Sequence, residues 1–160
     1  MVAGKILAAD HQGTFVIKLV GDVRLTLCTT IDDYFDTMFC CTNFVGVVID
    51  LSAVEGIDST SLGLLAKLAI RAKRTYQLMP IVWCPNPDIL RLLESMGFHQ
   101  IFDIREDLEL TNEELDELAV KAADEASTRG KIIEAHRVLM NMNEKNRETF
   151  ASLMSTLETC

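Results

Sequence analysis

Asp58-Ser59-Thr60-Ser61 places a carboxylate and three hydroxyls at four consecutive positions. All four are helix N-cap residue types. Leu62, Leu65, Leu68, Ala69 and Ala72 follow at helical spacing. The cluster therefore sits at a helix N-terminus, and two chemistries fit it. One hydroxyl or carboxylate can satisfy orphan backbone N–H groups and do nothing more. Alternatively, Ser59 can accept a phosphate of about −1.5 to −2 charges, which a helix N-terminus can host. Asp58 and Glu55 would repel that charge, so phosphorylation would change what the surface binds.

Other chemistry finds less support. Ser59 has no GxSxG setting and no nearby histidine or lysine in sequence to act as its base. His11, His99 and His136 are far apart and form no ligand motif. The five cysteines (Cys28, Cys40, Cys41, Cys84, Cys160) contain no CxxC, and their number is odd. Neither a disulfide framework nor a zinc ribbon is expected. Cys40-Cys41 reads as a pair of small apolar residues near a helix end. Asp32-Asp33 reads as a solvated helix face. No enzymatic activity, metal or cofactor is expected.

The helix after Ser59 needs a strand to hold it. Val47-Val48-Ile49 is a β-branched run of the kind found in a central strand buried on both faces. Asp50 to Gly56 reads as a loop from that strand to the helix. Leu65, Leu68 and Ala72 should face the sheet, with Leu64 and Lys67 towards the exposed side. Upstream, Lys5 to Asp10 and Thr14 to Val20 form a hairpin around His11-Gln12-Gly13, and Gly21-Asp22 ends its second strand. Leu27 to Cys41 is a helix with an Ile31, Tyr34, Phe35, Met38 and Phe39 stripe.

Downstream, Ile81 to Cys84 is a further buried strand. Asn86-Pro87-Asp88 starts a helix that Gly97 stops, and Ile101 to Ile104 is an edge strand. Thr111-Asn112-Glu113-Glu114 is a capping box, followed by a narrow apolar stripe from Leu115 to Ala126. Thr128-Arg129-Gly130 should break that helix. A last helix, Lys131 to about Glu158, has an apolar face interrupted from Asn141 to Glu148, as a bend would produce. Strands alternating with helices imply parallel crossovers in a mixed sheet.

At 160 residues and 49% hydrophobic, the chain can bury one sizeable core. A net charge of −9 argues against nucleic acid or anionic membrane as partner. No signal-like or membrane-length apolar run occurs, so a soluble, cytoplasmic protein is expected.

Three separated motifs carry a family resemblance. Val20-Gly21-Asp22-Val23 resembles the Gly-acid-aliphatic turn of the STAS domain family. Val48-Ile49-Asp50-Leu51 with Ile57-Asp58-Ser59-Thr60-Ser61-Leu62-Gly63 resembles its strand, loop and phosphorylatable Asp-Ser signature. Leu92 to Phe98, then Ile101-Phe102, resembles its last leucine-rich helix and strand. The resemblance spans about Lys5 to Leu118, and the nearest style is that of bacterial anti-sigma factor antagonists. Two positions depart from the pattern. Ser61 stands where the family usually has glycine, and Arg24 where it often has a second acid.

The resemblance implies an α/β, STAS-like mixed sheet of four to five strands flanked by helices. The domain would span residues 1–128, with a helical extension over residues 129–160. It implies a non-enzyme that binds an anti-sigma factor and/or a serine kinase when unmodified, so freeing a sigma factor. Phosphorylation of Ser59 would break the complex and a PP2C-type phosphatase would restore it. Asp22, Asp58, Thr60, Ser61, Gly63, Leu64 and Lys67 would form the partner surface. The extension should pack on the preceding helix or on a second chain. Two other roles fit the same family: an interaction subunit of a transporter or lipid-trafficking complex, and a small-ligand sensor, each with Ser59 only a cap.

Overall fold

The computed structural model describes residues 2–108 and 115–159. Six strands form one mixed sheet in the order β5-β4-β3-β2-β1-β6. They are β1 (Lys5–His11), β2 (Thr14–Val23), β3 (Gly46–Ile57), β4 (Ile81–Trp83), β5 (Asp103–Arg105) and β6 (Asp116–Glu117). The helices are α1 (Cys28–Phe39), α2 (Ser59–Tyr76), α3 (Pro87–Ser95), α4 (Glu125–Met142) and α5 (Glu144–Thr159). β1 and β2 form the antiparallel hairpin, and β2, β3, β4 and β5 are joined by parallel crossovers through α1, α2 and α3. β6, absent from the sequence reading, adds two residues antiparallel to Leu7 and Ala8.

The hydrophobic pattern explains the sheet. Val47 to Leu51 are all buried, as a strand covered on both faces requires. In β2 Phe15, Ile17, Leu19, Gly21 and Val23 are buried while the residues between them are partly exposed. Asp50 to Gly56, expected as a loop, instead continues β3 alongside Val20, Gly21, Asp22 and Val23. Gly21 makes this possible. Its φ of +78° marks a bulge with a register shift, so β2 bends there instead of ending.

The C-terminal third departs most from expectation. The Thr111 capping box lies outside the described residues, and no helix runs from Leu115 to Asp124. Leu118 N–H donates to the Ile6 carbonyl at 2.9 Å, and Lys121 N–H to the Thr30 hydroxyl at 2.8 Å. The segment thus crosses α1 as an extended strap. Asp124 then caps α4 by accepting from Ser127 N–H at 2.7 Å. Gly130 does not break α4; it is a helical position with open space around it. An interior glycine costs about 1 kcal/mol, which a well-capped and packed helix withstands. The bend falls at Asn143, which caps α5 through Asn146 N–H at 2.8 Å. Asn146 is buried and also donates to the carbonyls of Met96 (2.9 Å) and Leu139 (3.0 Å), fixing the elbow to the end of α3.

Candidate functional site

Asp58 organises the N-terminus of α2. Its extended backbone makes it the N-cap, with Oδ1 accepting from Ser61 N–H at 2.8 Å. Oδ2 accepts from Leu25 N–H at 2.7 Å, tying the turn after β2 to the same helix end. Ser59, the first helical residue, is therefore held beside that turn. There Asp22 accepts from Arg24 Nε at 2.9 Å while its other oxygen is buried without a partner. The cap role belongs to Asp58, which leaves the Ser59 hydroxyl free for something else.

That hydroxyl is half-buried and lies 2.8 Å from His136 Nε2 on α4. The His136 ring is 1% exposed, stands edge-on to Phe150 of α5, and has Nδ1 2.7 Å from the Ile132 carbonyl. A carbonyl only accepts, so Nδ1 carries a proton. Nε2 is then the ring nitrogen that faces the Ser59 hydroxyl. Sequence reading missed this partner because it lies 77 positions away. The serine–histidine geometry is that of a nucleophile and base. Here the ring is buried against Phe150 of α5 and oriented by a backbone carbonyl, while the Ser59 hydroxyl it engages remains half-buried.

The other expected partner-surface residues divide by what covers them. Gly63 meets α4 directly: a Cβ there would lie 2.4 Å from the Ala135 carbonyl oxygen. Only glycine permits that backbone approach. Lys67 bridges α1, α2 and α4, donating to Asp32 at 3.1 Å and Glu134 at 2.8 Å. Asp32, expected on a solvated face, is 4% exposed and also pairs with Lys131 of α4. Burial pushes the Asp32 carboxyl up, but Lys131 and Lys67 outweigh it and hold it below the usual range. Burial likewise lowers Lys67, yet Glu134 and Asp32 leave it above its ordinary value.

Thr60, Ser61 and Leu64 are buried, contrary to the expected exposure of this surface. Leu64 is 0% exposed. It lies on the helix row that continues to Lys67 and Arg71, which reach Asp32 and Asp36, so α1 covers that side. Ser61 Oγ lies 3.8 Å from Cys28 Sγ of α1, so its side chain points inward. Burial raises the Cys28 thiol to about 11 and the Cys84 thiol to about 11, keeping both protonated. Cys40, read as apolar packing, is exposed. Among the described residues no group of three or more His, Cys, Asp or Glu could hold a metal ion. No helix of the described residues is long and apolar enough to cross a membrane.

The family model of the STAS domain matches residues 5–111. The chain belongs to the STAS domain family. Its solved relatives include the anti-sigma factor antagonist SpoIIAA in its unphosphorylated form, at 17% identity and a TM-score of 0.53. That match covers 68% of this chain and 91% of SpoIIAA, and at such identity it is a likeness of fold. No curated protein matches the chain. The STAS match ends before α4 begins, so the helices that close over Ser59 lie outside the matched region.

Proposed function

We propose that this STAS protein is a cytoplasmic, non-catalytic antagonist of an anti-sigma factor, switched by phosphorylation of Ser59. Unmodified, it binds and sequesters the anti-sigma factor and so releases a sigma factor. A serine kinase phosphorylates Ser59 and breaks the complex, and a PP2C-type phosphatase reverses this. The observation that carries the reading is the division of labour at the start of α2: Asp58 alone caps the helix, and the next residue, Ser59, has a hydroxyl the fold does not need as a cap.

Phosphate at this place is compatible with the domain and incompatible with an interface. The unpaired N–H groups and dipole of the first helical turn favour an anion. A partner docked over it would have to desolvate about two charges beside Asp58 and Glu55. The test compares wild-type, Ser59→Ala, Ser59→Asp and phosphoserine-59 chains binding to the purified anti-sigma factor. Phosphoserine should weaken binding at least tenfold, about 1.4 kcal/mol. Ser59→Asp should act in the same direction with one charge, and Ser59→Ala should bind. Equal affinity of the unmodified and phosphoserine-59 chains would overturn the reading.

A further inference from the structure

α4 lies on the outer face of α2 along the row Ser59, Gly63, Lys67, a spacing of one turn. Each position meets a complementary group. Ser59 meets His136, Gly63 meets Ala135, and Lys67 meets Glu134, while Lys131 reaches the buried Asp32 alongside. Leu139 adds an apolar contact with the domain core. We propose that this face of α2 is a helix-docking surface which α4 fills in cis, so that a partner reaches it by replacing α4 with a helix of the same chemistry. That chemistry is a small residue opposite Gly63, flanked by an acid for Lys67 and a cation for Asp32.

The surface has the composition of one that opens. Beside the apolar contacts of Ala135 and Leu139, it is held by one serine–histidine hydrogen bond, an ion-pair cluster and a close backbone approach, whereas Leu62, Leu65 and Leu68 of α2 are buried in the core shared with the sheet. The strap before α4 and the asparagine elbow after it hold α4 nearby, so α4 competes at a high effective concentration. Phosphate on Ser59 is excluded by the same packing. The Ser59 oxygen lies 2.8 Å from the ring of His136, which is 1% exposed, so a phosphoryl group on it would take up space that α4 fills. Docking of α4 and phosphorylation of Ser59 are therefore mutually exclusive, and by linkage each opposes the other equally. The regulatory consequence rests on the antagonist reading above; the docking surface itself does not.

The test uses full-length chains and hydrogen exchange. Ala135→Leu leaves no room against Gly63, and phosphoserine at 59 removes the latch; either should speed exchange of α4 amides at least tenfold with the β-sheet amides unchanged. A synthetic peptide of residues 125–159, added in excess, should then protect Thr60 to Ile70 in the Ala135→Leu chain. It should leave the wild-type chain, whose surface is filled, unaffected. The same peptide carrying Ala135→Leu should protect neither. Wild-type protection of α4 in both altered chains would overturn the proposal. So would failure of the peptide to protect the opened surface, or equal peptide binding to the wild-type chain. None of these arms contains an anti-sigma factor, so their failure leaves the binding test of the antagonist reading standing.

Discussion

The two long faces of α2 are built from different materials. The inner face joins the sheet through fully buried aliphatic side chains, Leu62, Leu65, Leu68, Ala69 and Ala72. The outer face meets α4 through a hydroxyl, a glycine and a lysine. Aliphatic burial is non-directional, and its loss leaves a cavity with a large penalty. Hydrogen bonds and ion pairs exchange readily with water, so their net worth is small. One helix thus serves as a fixed member of the core on one side and a releasable contact on the other. The outer contact can therefore be lost without melting the domain that presents it.

Mutations on the two faces should separate these roles. Leu68→Ala, on the inner face, should cost about 2–5 kcal/mol of global stability in denaturant unfolding. An outer-face substitution that matched this loss would erase the contrast. Gly63→Val, on the outer face, should cost about 1–3 kcal/mol by overpacking. That loss should appear as faster exchange in α4 while the sheet stays protected. Gly63→Ala sharpens the point: it gains up to about 1 kcal/mol of helix propensity in α2 and should still loosen α4.

Smaller effects are expected from the polar contacts. Lys131→Met should cost about 1–2 kcal/mol of α4 docking, more than an exposed pair because Asp32 is buried, yet limited because Lys67 remains. Ser59→Ala should cost about 0.5–1.5 kcal/mol for the lost hydrogen bond to His136, read from α4 amide exchange. The pH response has a definite sign. Asp32 titrates below its ordinary value of 3.8 in the folded chain, so its contribution is complete above that value. It is lost as pH falls through the lowered one. Lys67 is raised above 10.5, so its share is complete below that value and is lost only as pH rises through the raised one. The ion-pair contribution to α4 docking should therefore be flat between about pH 5 and 9 and weaken in acid, measured by exchange corrected for intrinsic rates.

The inner face was legible in sequence and the outer face was not. Helical spacing picks out Leu65, Leu68 and Ala72, and β-branched Val47 to Ile49 identifies the strand beneath them, because local pattern and burial agree there. Leu64 was misplaced because one amphipathic stripe cannot reveal a second covering helix; α1 buries the flank that a single-sheet picture leaves to solvent. His136 could not be paired with Ser59 at a separation of 77 residues. Two cues in the extension were nevertheless present. Asp124 followed by Glu125 marks the true start of α4, and Asn143 followed by Glu144 marks the start of α5. Thr128-Arg129-Gly130 outweighed the first because a glycine in a polar run reads as a break, yet an exposed interior glycine is tolerated once neighbouring turns are packed.

The central claim is that Ser59 governs whether the α2 surface carries a partner. The most direct measurement isolates the chain from the cells that make it, separates partner-bound from free protein, and maps phosphate on each fraction by mass spectrometry. The expected result is phosphate on Ser59 in the free fraction and an unmodified Ser59 in the complex. Phospho-Ser59 present equally in the complex, or phosphate confined to other residues, would contradict the account.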